Sequence, residues 1–229
     1  MVAEKIKLSE KTLSILKNYS GICSNILIKP GNVLRTVSSM KNIMSEAVIE
    51  EDFERQVAIW DLNQFLGTVS LFDSPEFEFE ENHVNIYGKN GSSVRYYYSA
   101  PNLITTPTKD IVMPETVVEF DLKQRDLVEL QRAASVLGLP DICVQSNGDT
   151  LEMVAVDKKI NSSNTYSVSL GDLPNDGHDF KFYFKVENLK MFPGDYTVSI
   201  AKSVVSQFVH KTTDIKYWIA LEADSVYNG

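Results

Sequence analysis

Apolar side chains recur with helical spacing in two related stretches of the chain, residues 8–19 and 122–132. A shift of about 114 residues pairs Leu8 with Leu122, Lys11 with Arg125, Leu13 with Leu127 and Leu16 with Leu130. At ~100° per residue, Thr12, Leu13, Leu16 and Tyr19 gather on one side of the first helix. Lys7 (just before it), Lys11, Ser14 and Asn18 take the opposite side. In the second helix Leu127, Leu130, Ala134 and Leu137 form the apolar stripe, with Arg125 and Arg132 opposite, two turns apart. A repeat of this length means two similar lobes, not an array of small units. For one helix a basic outer face is ordinary solvation. The same face on two related helices ties the pattern to the architecture.

Around these helices the pattern changes to alternation, the mark of half-buried strands. Strands are predicted at residues 22–28, 33–37, 43–49 and 56–60. Asp61 then caps a second helix over 62–71, with Leu62, Phe65, Leu66 and Val69 at helical spacing. Phe77 and Phe79 alternate with glutamates, and residues 84–87 and 94–98 flank the turn Gly88-Lys89-Asn90-Gly91 as a hairpin. Residues 101–114, with three prolines, read as a linker. The second lobe repeats the order. A strand at 117–120 leads to Asp121 as N-cap and a helix over 122–137, stopped by Gly138 and Pro140. Strands follow at 142–145, 151–156, 166–170 and 179–184, the last with Phe180, Phe182 and Phe184 on one face. A short helix at 186–191 and strands at 196–201, 204–209 and 215–221 complete it. The expected fold is α+β, with a first lobe at 1–100, a linker at 101–114 and a second lobe at 115–229. Each lobe has two helices, packed together on one side of mostly antiparallel sheets.

Composition narrows the function. With 43% hydrophobic residues in a chain of 229, each lobe can bury a core. The net charge of −9 would repel nucleic acid from a uniform surface, so any such contact needs segregated cations. Cys23 and Cys143 sit in apolar runs, expected in corresponding strands as buried thiols. The chain's start lacks the apolar centre of a secretory leader, and no apolar run approaches the ~20 residues of a membrane span. These features predict an intracellular protein with no membrane partner.

Candidate chemistry is sparse. His83, His178 and His210 have no neighbours at metal-ligand spacing. There is no Gly-x-Ser-x-Gly elbow and no phosphate-binding Gly-x-x-x-x-Gly-Lys-Ser/Thr loop. Glu50, Glu51, Asp52 and Glu54 read as an exposed acidic loop, since adjacent carboxylates face different ways. No helix-turn-helix or zinc-finger pattern is present. The sequence therefore points to no catalytic residue, metal or cofactor.

Several strings nevertheless resemble one family over nearly the whole chain. They are Val57-Ala58-Ile59-Trp60-Asp61-Leu62-Asn63-Gln64-Phe65-Leu66-Gly67, Tyr166-Ser167-Val168-Ser169-Leu170-Gly171-Asp172, Leu189-Lys190-Met191-Phe192-Pro193-Gly194-Asp195-Tyr196 and, most specifically, Ala220-Leu221-Glu222-Ala223-Asp224-Ser225. The chain resembles the sliding clamps of T-even-type bacteriophages, processivity factors of the replicative DNA polymerase. The resemblance implies the DNA-clamp fold: a homotrimeric ring of two-lobed subunits, with sheets outside and helices lining the hole. Lys7, Lys11, Arg125 and Arg132 would then face duplex DNA, with Lys185 and Lys190 of the last helix. The helix at 62–71 departs from this, because it carries no Lys or Arg.

The implied mechanism is topological, with contacts that position the duplex without reading bases. Implied partners are the polymerase, an ATP-dependent clamp loader, and sigma-type and co-activator factors of RNA polymerase in late transcription, all in the cytoplasm of an infected bacterial host. Leu103, Ile104, Ile111, Val112, Met113, Ala220 and Leu221 are candidates for a pocket that takes partner tail peptides; the plain alternative is that they pin the linker. Ring closure is expected to pair 94–98 (Val94, Tyr96, Tyr98) with 165–170 (Thr165, Tyr166, Val168) as edge strands. The alternative is a structural ring or tube protein of a virion, which has no need for basic residues opposite both apolar stripes.

Overall fold

The structure is a computed structural model in which residues 5–173, 178–202 and 204–228 are described. Residues 1–4, read above for a leader, and 175–177 of the polar loop before His178 lie outside the described residues. The chain divides into two compact units, Met1–Lys109 and Asp110–Gly229.

The first unit runs α1 (Glu10–Ser20), β1 (Ile26–Ile28), β2 (Gly31–Val37), β3 (Ile43–Phe53), β4 (Val57–Ile59), α2 (Leu62–Val69), β5 (Glu76–Phe79), β6 (His83–Tyr87) and β7 (Ser93–Tyr97). β1 pairs with β4 and β2 with β3, both antiparallel. β5, β6 and β7 form a three-stranded antiparallel meander. α1 packs on α2. Thr12, Ile15, Leu16 and Tyr19 are the buried positions of α1. Leu13, expected among them, is half-buried, and Ile15 takes its place. α2 starts where Asp61 accepts the Gln64 N–H at 2.8 Å, as its sequence predicts.

Two expectations fail in this unit. The strand expected at 22–28 begins only at Ile26, because the chain leaves α1 through a turn in which the Ile22 and Cys23 N–H groups both reach back to the Tyr19 carbonyl. Cys23 is therefore buried in a turn, whereas Cys143 lies in a strand. Nor is the acidic run a loop. Glu50, Glu51 and Asp52 continue β3 to Phe53, which is 3% exposed and anchors the strand's end in the core.

The second unit runs β8 (Thr116–Leu122), α3 (Gln124–Leu137), β9 (Asp141–Asn147), β10 (Thr150–Val156), β11 (Tyr166–Asp172), β12 (Asp179–Lys185), β13 (Tyr196–Ala201), β14 (Val205–His210), β15 (Ile215–Ala220) and β16 (Val226–Asn228). One sheet has the order β11-β10-β9-β12-β16, and the other strands lie in the order β15-β14-β13-β8. All these neighbours are antiparallel. Phe180, Phe182 and Phe184 share the inner face of β12 and are almost fully buried. Each contributes about 1.5–3 kcal/mol by burial.

Here too the structure corrects the sequence reading. The short helix expected at 186–191 is a single 3-10 turn, Val186–Asn188. So few residues cannot offset the cost of nucleating an α-helix, and Pro193 and Gly194 follow at once. Among the described residues this unit thus has one α-helix, not two. Asp121 is not an N-cap. The alternation Val118, Phe120, Leu122, all buried, carries β8 through it. Gly194 is needed where it stands: a Cβ there would lie 1.9 Å from His210 Nε2. His210 Nδ1 accepts the Thr212 and Thr213 N–H groups at 3.1 and 2.9 Å, so Nε2 carries the proton and donates to the Pro193 carbonyl. No helix among the described residues is long and apolar enough to cross a membrane.

Candidate nucleic-acid interface

Both helices that repeat in the sequence bury one stripe and expose a face with cations. On α1, Lys11, Ser14 and Lys17 are exposed. Neither Lys11 nor Lys17 forms an ion pair among the described residues. Lys17 was not among the candidates, although its 3.6-residue phase with Ser14 and Glu10 would have found it. Lys7 precedes the helix and lies 3.7 Å from Glu76. On α3, Leu127, Leu130 and Ala134 are buried, whereas Leu137 is 40% exposed and does not extend the stripe. Arg125 and Arg132 are exposed as expected. Arg125 Nε meets Asp126 Oδ1 of its own helix at 3.2 Å, and Arg132 has no ion pair among the described residues. Val128 and Val136 share that face, 52% and 78% exposed.

A carboxylate from the sheet layer closes the amino end of each helix. At α1 Glu51 accepts the Ser9 N–H and, at 2.6 Å, the Thr12 hydroxyl. Partial burial pushes the Glu51 carboxyl up, but these hydrogen bonds outweigh it and hold it below the usual carboxylate range. At α3 Asp195 accepts the Gln124 N–H at 2.8 Å and meets Lys123 Nζ at 3.0 Å. That backbone N–H first, then Lys123, holds the Asp195 carboxyl down. Both helices thus have the positive end of their dipole neutralised locally.

The remaining cation candidates differ. Lys185 Nζ lies 2.6 Å from the fully buried Asp141 and 3.8 Å from Glu222, so it is committed inside the unit. It ends β12 and does not belong to a helix. Lys190 is exposed on the coil after the 3-10 turn. α2 exposes Asn63, Gln64, Gly67 and Ser70, without a cation.

The strands proposed to meet between subunits are both edges. β7 is an outer strand of its three-stranded sheet and β11 of its five-stranded sheet. Each is braced by a tyrosine of its own that reaches the neighbouring helix or its cap. Tyr96 donates to the Asp61 carbonyl at 3.2 Å and stacks edge-on against Phe65, and Tyr166 donates to the Glu129 carboxylate. Val94, Val168 and Tyr166 are half-buried and Thr165 exposed. Tyr98 lies just beyond β7, its N–H on the Asn82 carbonyl and its hydroxyl buried without a partner among the described residues.

Of the pocket candidates in the first unit, Ile104 is buried and Leu103 is 57% exposed. The adjoining Thr105 N–H is fixed to Asn25 Oδ1 at 2.9 Å. In the second unit Val112 is 86% exposed. Ile111, Met113, Ala220 and Leu221 are half-buried.

Comparison with known proteins decides the family. The model described as DNA polymerase processivity factor matches residues 7–113, and the one described as gp45 sliding clamp, C terminal, matches 119–223. The sliding clamp of Vibrio phage KVP40 is 33% identical over 223 residues, 95% of this chain and 100% of that protein. The chain belongs to the phage sliding-clamp family. The sliding clamp of Enterobacteria phage T4 is 30% identical over 97% of this chain and 100% of its own length. Among solved structures, PCNA of A. fulgidus with the C-terminal region of FEN-1 superposes with a TM-score of 0.73 at 14% identity, covering 98% of this chain and 100% of that one. The Helicobacter pylori beta clamp bound to a DNA ligase peptide gives 0.70 at 13% identity, over 96% of this chain and 65% of that longer one. These structures share the clamp fold. The protein is a DNA clamp that serves polymerase processivity, and the virion-protein alternative finds no support.

Proposed function

We propose that three copies of this clamp close into a ring around duplex DNA, with the exposed faces of α1 and α3 toward the phosphates. The observation that carries this is the set of exposed helix cations, Lys11, Lys17 and Arg132, that have no ion pair among the described residues of a chain of net charge −9. The contacts are sparse and blind to sequence, which suits sliding, and weaken with salt. The clamp performs no catalysis. It holds the polymerase to its template by topology, and a separate ATP-dependent loader opens the ring. β7 of one copy pairs with β11 of the next. Partner tails, including those of transcription factors, bind beside Ile111, Met113, Ala220 and Leu221 of the second unit.

Replacing Lys11, Lys17 and Arg132 by Gln tests the lining. Polymerase runs on primed DNA with loader should shorten while circular dichroism stays unchanged. Runs of wild-type length in the triple variant would overturn it.

A further inference from the structure

The outer edge of β12 is occupied by residues 222–228. β16 pairs antiparallel with it, Asp179 opposite Asn228 and Lys181 opposite Val226. Further along, the Glu222 N–H donates to the Tyr183 carbonyl and the Tyr183 N–H to the Ser225 hydroxyl oxygen, both at 2.9 Å. Side chains pin the segment at both ends. Lys158, only 10% exposed, lies 3.2 Å from Glu222 and 2.6 Å from Asp224. Tyr227 stacks on the core rings of Phe180 and Phe182, with centroids 6.4 and 6.3 Å away. An open strand edge is a template for another chain, and proteins cover or charge the edges they do not use. At the other end of the same sheet, the seven-residue β11 meets no further strand among the described residues.

We infer that residues 222–228 are an edge guard: they keep β12 from pairing with a second copy of this chain and leave β11 as the joining edge of that sheet. The use of β11 rests on the ring reading, whereas the guarding of β12 stands without it. An unguarded β12 can pair antiparallel with its own counterpart, a two-fold contact that closes on itself.

The test compares two chains carrying Lys181→Cys, one of full length and one ending at Leu221. Lys181 is exposed and both native cysteines are buried, so a short bismaleimide reports the introduced thiols. The shortened chain should cross-link between copies, and its light-scattering mass should rise to about twice that of the full-length protein. The full-length chain should do neither. A shortened chain with native circular dichroism, unchanged mass and no cross-link would sink the inference. If the shortened chain does not fold, Lys158→Met in the full-length Lys181→Cys chain replaces it. There the Tyr183 and Glu222 amides should exchange faster with solvent and a cross-link should appear; absence of either counts against the guard. Failure of the ring reading shows separately, as a full-length mass of one chain.

Discussion

Glu51 shows how much can hang on one side chain. It reaches from the end of β3 to bind the Ser9 N–H and the Thr12 hydroxyl. Glu51→Ala should destabilise the protein by about 1 kcal/mol, the usual size of a lost cap, with the charge contribution discounted because water screens it. The sign with pH follows from the depressed carboxyl. A group whose folded pKa lies below its unfolded value stabilises at neutral pH, and that contribution is lost as pH falls through the folded value. The melting-temperature gap between wild type and variant should be constant above pH 5 or so and close below about pH 4. Gly194→Ala should cost about 1–3 kcal/mol, since the added methyl meets His210, and a denaturant melt would show it. Neither device was legible in the sequence. Glu51 sits in a run of like charges, and nothing local says that one of them faces a helix end 42 residues away.

Elements were legible where their period is their cause. The α1 and α3 stripes, the Asp61 cap, the hairpin at residues 83–97 and the phenylalanine face of β12 all follow from spacing. Misreadings came at junctions. β8 runs through Asp121 because Leu122 is its last buried position, and the 3-10 turn replaces a helix too short to nucleate. The candidate site was half legible. The exposed arginines of α3 and Lys11 were read from helical phase, whereas the commitment of Lys185 to buried Asp141 depends on pairing between strands. This difference predicts unequal effects. On the ring reading, Lys11→Gln with Lys17→Gln should lower the slope of the log binding constant for linear duplex DNA against log salt by about 0.9 per lost phosphate contact. Lys185→Gln should leave that slope alone and reduce stability, since it strands a buried charge.

At the scale of the molecule the repeat declared two lobes, but it could not show that the lobes differ. The first pairs α1 with α2, and the second has α3 without an α-helical companion among the described residues. Which strands are edges was not legible either, because strand order depends on long-range pairing. β7 and β11 both prove to be outer strands. On the ring reading, light scattering at micromolar concentration should give about three chains, falling on dilution. Val168→Pro, placed in β11, should lower the mass to one chain, since proline removes a ladder donor and disrupts the strand.

The carboxylates at the heads of α1 and α3 have a consequence for motion. An uncapped helix end is a fixed socket of N–H groups that grips a phosphate and must release it before the next arrives. On the ring reading, Glu51 and Asp195 each occupy an N–H group at those ends, and a passing duplex would meet long lysine and arginine side chains beside the exposed Val128 and Val136. Flexible arms of this kind would lower the step in energy from one phosphate to the next. The protein would act on its track as a bearing does, by having no preferred stopping place.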